Sequence, residues 1–87
     1  MPASLDFSGV GDADDTFRWQ QVAAVIEAAV RDGTIAPRKA VPSEAQIMRD
    51  ARVGRKTARR AIRDLRERGI VYTVEGLGSF ASGDLPG

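Results

Sequence analysis

The chain contains neither cysteine nor histidine. That removes thiol nucleophiles, disulfide staples, imidazole bases and the usual zinc ligands together. It also lacks any run approaching the roughly 18 apolar residues that a membrane-crossing helix needs. Met1 to Val10 has neither the basic start nor the apolar core of a secretion signal. With 87 residues there is one domain, a modest core and little room for a deep catalytic cleft or a second ligand-binding lobe. Carboxylates are present, but no paired acidic motif accompanies them, and Glu44 falls in a helix's first turn, where the macrodipole already accounts for it. These absences predict a cytoplasmic chain that is not an enzyme, with no cofactor, no metal, no membrane partner and no small-molecule effector site.

What is present is charge, unevenly placed. The formal net charge is only +1. Met1 to Asp15 nevertheless carries Asp6, Asp12, Asp14 and Asp15 with no cation, whereas Arg49 to Arg68 holds nine cations against three carboxylates, a local excess of +6. A block of one sign at a terminus reads as a solvated tail. Residues 1–15 are therefore expected to form a flexible acidic arm, residues 16–82 the folded domain and residues 83–87 a disordered tail.

Inside the domain the pattern is helix, helix, helix, hairpin. Trp19, Val22, Ala23, Ile26, Ala29 and Val30 recur at the three-and-four spacing of an amphipathic helix, which Asp15 or Thr16 can cap and Gly33 can end. Ser43 followed by Gln46 is a capping box, and it starts a short helix from Glu44 to about Ala51. A third helix runs from Arg55 to Arg68 and stops at Gly69. Ile70 to Val74 and Ser79 to Ala81 are strands around an EGLG turn.

At 100° per residue the third helix divides into two sectors. Ala58, Ala61, Ile62 and Leu65 share one; Arg55, Lys56, Arg59, Arg60, Arg63 and Arg66 sweep across the other. A solvated helix face normally interleaves acids with its bases, yet none stands between Arg55 and Arg63. Such a face calls for an anionic partner. A phosphate backbone supplies one by counterion release, and the first turns of a helix in the major groove also place Arg against guanine O6 and N7. Arginine outnumbers lysine eleven to two, which favours planar bidentate recognition.

Taken together, these stretches resemble the winged helix-turn-helix DNA-binding domain of GntR-type bacterial transcription regulators. The resemblance covers about Phe17 to Ala81. It rests on Trp19 with Val22, Ile26, Val30 and Gly33, on VPSE at Val41 to Glu44, on VGRKTARRAI with Leu65, and on RGIVYTVEGLGSF. It implies a mainly α fold with a small β-hairpin, and a sequence-specific regulator of transcription, in the repressor sense, that places its third helix in the major groove of double-stranded DNA. By the same resemblance Arg55 and Arg59 contact DNA, Lys56 helps to select bases, and Thr57 touches the backbone or steadies the helix start. Ser43 presents a helix N-terminus to a phosphate, and Gly76 and Gly78 let the hairpin tip lie against the minor groove.

The sequence departs from the family pattern in several places. Ala45 stands where the family has an arginine after Ser-Glu, Gly54 replaces the hydroxyl residue that caps the recognition helix, and Arg52 and Arg38 occupy positions where glycine is common. Arg52 is thereby a further DNA-binding candidate by its charge. No effector domain follows Gly87, which fits either a small stand-alone regulator or the DNA-binding half of a longer one. With no leucine-rich seam, the expectation is a monomer in solution that pairs on an inverted-repeat operator. Two other functions fit the same residues: a protein-interaction winged helix docking an acidic partner, and a sequence-tolerant architectural DNA-binding protein.

Overall fold

A computed structural model describes residues 5–7, 10 and 15–85. Three helices come first, α1 (Asp15–Arg31), α2 (Glu44–Ala51) and α3 (Arg55–Glu67), followed by β1 (Val71–Val74) and β2 (Gly78–Ala81). The two strands pair antiparallel, with Val71 opposite Ala81 and Val74 opposite Gly78. Ala40 forms an isolated antiparallel bridge to Phe80, so the loop before α2 borders the free edge of β2. The chain is a winged helix-turn-helix: three helices and a hairpin wing.

Local signals set the element ends. Ser43 Oγ accepts from the Gln46 N–H at 3.1 Å, and Gln46 Oε1 accepts from the Ser43 N–H at 3.2 Å, so the reciprocal box starts α2 as its spacing predicts. Gly69 follows α3 at φ 77, a left-handed angle open to glycine at little cost. Helix α3 ends one residue earlier than the sequence suggests, because Arg68 leaves helical geometry as the C-cap.

The core lies where α1 and α3 cross over α2 and the root of the wing. Val22, Ile26, Ile47, Leu65, Ile70 and Val71 are its largest fully buried side chains. Ala58 and Ala61 are also fully buried and bring α3 close to its neighbours. The small residues on the inner sector of α3 thus hold the cationic sector outward.

Among the described residues of the expected arm and tail, several are packed on the domain. Phe7 and Val10 are buried in the core, and Leu5 and Leu85 pack against it. Asp12, Asp14, Pro86 and Gly87 lie outside the described residues.

Candidate nucleic-acid interface

The cations of α3 differ in how far the fold engages them. The C-terminal one, Arg68, donates to Asp64 at 3.0 Å and pairs with Glu27 of α1 at 2.9 Å. Glu27 also accepts from Arg31 at 2.9 Å. The Arg31 hydrogen bond, with further help from Arg68, holds the Glu27 carboxyl below the usual glutamate range against the opposing effect of burial. Burial of Arg68 works against its charge, but its hydrogen bonds to Glu27 and Asp64 outweigh that and raise its pKa. Arg68 is thereby neutralised within the fold.

Most of the other cations of α3 are not. Arg55, Lys56, Arg59 and Arg63 are exposed along the first turns. Among the described residues Arg55, Lys56, Arg63 and Arg66 form no ion pair, and neither does Arg52 in the preceding turn. Arg59 has one partner, the Glu44 carboxylate at the start of α2, at 3.7 Å with both side chains well exposed. An exposed pair of this kind contributes little and is readily exchanged for another anion.

The backbone adds to the positive field. Gly54 is the N-cap of α3 and makes no side-chain cap hydrogen bond. The first N–H groups of α3 therefore point outward without a side-chain acceptor, and the helix dipole places partial positive charge beside Arg55. Thr57 is half-buried in the first turn of α3. Ser43 is exposed at the start of α2, and its oxygen already accepts from Gln46. Its hydroxyl proton remains available to an acceptor.

Arg52 adopts φ 56, ψ 47 as the C-cap of α2. A non-glycine residue in the left-handed region costs on the order of 1 kcal/mol, so the tight turn joining α2 to α3 keeps a cation at some expense in backbone energy. Gly76 and Gly78, at φ 82 and φ 119, sit apart from this cluster at the tip of the wing.

Two cations belong elsewhere than helical periodicity suggests. Arg60 lies over the Trp19 ring, 4.5 Å from its centroid, and so turns toward α1 rather than joining the bare arginines. Arg68 is held in the Glu27 network. Ala45 is exposed on the first turn of α2, so its methyl group adds no charge beside Ser43. The Glu44 to Arg59 pair escaped the sequence reading; both residues stood out individually, but only the packing of α2 on α3 brings them together.

The family model "Bacterial regulatory proteins, gntR family" matches residues 18–80. Among solved structures, AraR(DBD) in complex with operator ORR3 is 36% identical with a TM-score of 0.71, covering 74% of this chain and 77% of that one. A GntR family transcriptional regulator from Listeria monocytogenes is 27% identical with a TM-score of 0.71, over 76% of this chain and 58% of its own. A transcriptional regulator from Oenococcus oeni, 17% identical over 86% of this chain and 61% of its own, shares the fold at a TM-score of 0.72. The family match spans most of α1, all of α2 and α3 and most of the wing, and with it the chain belongs to the gntR family of bacterial regulatory proteins as a winged-helix DNA-binding domain.

Proposed function

We propose that this domain binds double-stranded DNA sequence-specifically, with α3 in the major groove, and that it regulates transcription by occupying an inverted-repeat operator, in the sense of a repressor. The observation that carries this reading is the row of unpaired cations on α3: Arg55, Lys56, Arg63 and Arg66 have no acidic partner among the described residues, whereas Arg68 is neutralised within the fold. Arg55 and Arg59 approach base edges, Lys56 assists selection, and Thr57 steadies the helix start. Ser43 donates to a phosphate at the N-terminus of α2, Arg52 reaches the backbone from the turn, and Gly76 and Gly78 bring the wing close to the duplex.

The reading is supported by AraR(DBD), which is 36% identical and was solved with operator DNA. It is tested by selecting bound sequences from a random duplex pool and measuring affinity against salt. Log affinity should fall with log salt at a slope of about −0.9 per neutralised phosphate. Arg55→Ala should cost about 1–3 kcal/mol on the selected site and much less on random DNA if the side chain reads guanine. A flat salt dependence with retention of acidic proteins would overturn the proposal in favour of a protein-docking winged helix. A steep slope with no selected sequence would favour an architectural DNA-binding protein.

A further inference from the structure

Arg66 repeats the azimuth of Arg55. It stands in the last turn of α3, whose first residue is Arg55, and at 100° per residue it comes round to within about 20° of Arg55 after three full turns. Arg59 falls about 40° from Arg55 by the same count. The three guanidinium groups therefore share one strip of the helix surface. That strip lies toward the start of α2, since Arg59 meets Glu44 there. At 1.5 Å per residue Arg66 is about 16.5 Å beyond Arg55 along the axis.

Nothing in the fold engages it. Arg66 is exposed and forms no ion pair among the described residues. The residues one turn away, Ile62, Arg63, Gly69 and Ile70, include no acid. Glu67 is next in sequence but stands about 100° round the helix, nearer to Arg63. A cation in the last turn complements the helix dipole. Arg68 already serves that end, held by Asp64 and by Glu27 of α1. A further arginine one turn after Arg63 adds repulsion instead of relief.

The last turn also differs from the first in what it can reach. Gly54 leaves the first N–H groups of α3 without a side-chain cap, so the N-terminal end is the one open to base edges. The last turn is built into the body of the domain, with Arg68 tied to α1 and Ile70 fully buried. The major groove is about 12 Å wide and admits a single helix. A helix whose first turn rests on base edges therefore carries Arg66 past the groove and over the bordering sugar-phosphate strand. There a guanidinium meets phosphate oxygens and no base edge.

We infer that Arg66 is a backbone clamp: it neutralises one phosphate on the strand bordering the groove and fixes how α3 is seated, without reading sequence itself. This rests on the DNA-binding reading above, and the experiment separates the two. The unaltered chain, Arg66→Gln and Arg66→Lys are titrated over a range of salt against a selected duplex and a random one. Arg66→Gln should weaken both by the same factor and flatten the slope of log affinity against log salt by about 0.9. Arg66→Lys should retain the slope, because a phosphate accepts a point charge. The melting temperature of Arg66→Gln should match that of the unaltered chain. In a series of duplexes with one neutral methylphosphonate linkage each, one position at the groove's edge should weaken the unaltered chain and leave Arg66→Gln unaffected.

A loss confined to the selected duplex would make Arg66 a reader of bases and overturn the inference. An unchanged slope in Arg66→Gln would overturn it too, and a lower melting temperature alongside would assign the arginine to the helix dipole. So would a methylphosphonate series in which no position distinguishes the two chains. Failure of the unaltered chain to bind either duplex would overturn the DNA-binding reading itself, and the clamp with it.

Discussion

The guanidinium of Arg60 lies 4.5 Å from the centroid of the Trp19 ring, joining the outer surface of α3 to α1. A cation over an indole at an exposed site contributes about 0.5–1 kcal/mol. Arg60→Ala should therefore lower the melting temperature by roughly 3–6 °C. Trp19 is the chain's one tryptophan, so its fluorescence reports on the contact directly. DNA affinity should fall far less than in Arg55→Ala, since Arg60 is turned toward the protein. A loss on DNA equal to that of Arg55→Ala would reassign Arg60 to the interface.

Arg52 sets stability against binding. Its left-handed φ of 56 is strained for arginine and open to glycine, which gives back part of the gain by loosening the unfolded chain. Arg52→Gly should stabilise the free domain by about 0.5–1 kcal/mol. If the side chain neutralises a phosphate, the same substitution should weaken DNA binding and flatten the slope against log salt by about one. Urea unfolding and a salt titration on one protein preparation check both signs. Greater stability with unchanged binding would leave Arg52 without a role on DNA.

Those two arginines mark where sequence reasoning reached its limit. The Ser43 to Gln46 box and the Gly69 stop were legible because each depends on residues within one turn of chain. The inner sector of Ala58, Ala61, Ile62 and Leu65 was legible because burial follows helical period. Periodicity does not say which charged residue finds a partner on another helix. Arg60 meets Trp19, Arg68 meets Glu27 and Arg59 meets Glu44 only after α1, α2 and α3 have packed. The left-handed turn at Arg52 was signalled only by the resemblance, in which glycine is common at that position.

Acid should loosen the packing of α3 on α1. Glu27 has its pKa lowered in the folded state, chiefly by Arg31 and then by Arg68. A carboxyl with a depressed folded pKa contributes stability that is fully present above its unfolded value, near 4.5, and is lost as pH falls through the folded value. Urea midpoints should therefore hold from neutral pH to about 5 and fall below it. In Glu27→Gln the midpoint at neutral pH should be lower and the acid-dependent fall shallower. An identical pH profile in the variant would remove Glu27 from the account.

Assembly is set by how little one domain can read. A single winged helix spans few base pairs, and Ala45 provides no side chain to add a polar contact beside Ser43, so one copy discriminates poorly against the many competing sites in a genome. Two copies on an inverted repeat raise specificity through effective concentration without any new reading surface. Among the described residues the large exposed hydrophobics are Phe17, Tyr72, Val74 and Leu77. Phe17 opens α1 and the other three belong to the wing, so they do not form the extended helical seam of a strong dimer. The expected outcome is a monomer free in solution and a two-to-one complex on a selected palindromic duplex, with half-site spacing governing affinity. Light scattering of the free chain and of its complex measures both states. A stable dimer without DNA would point to an interface on α1 near Phe17, and Phe17→Ser should then dissolve it; a one-to-one complex on every selected site would remove the palindrome.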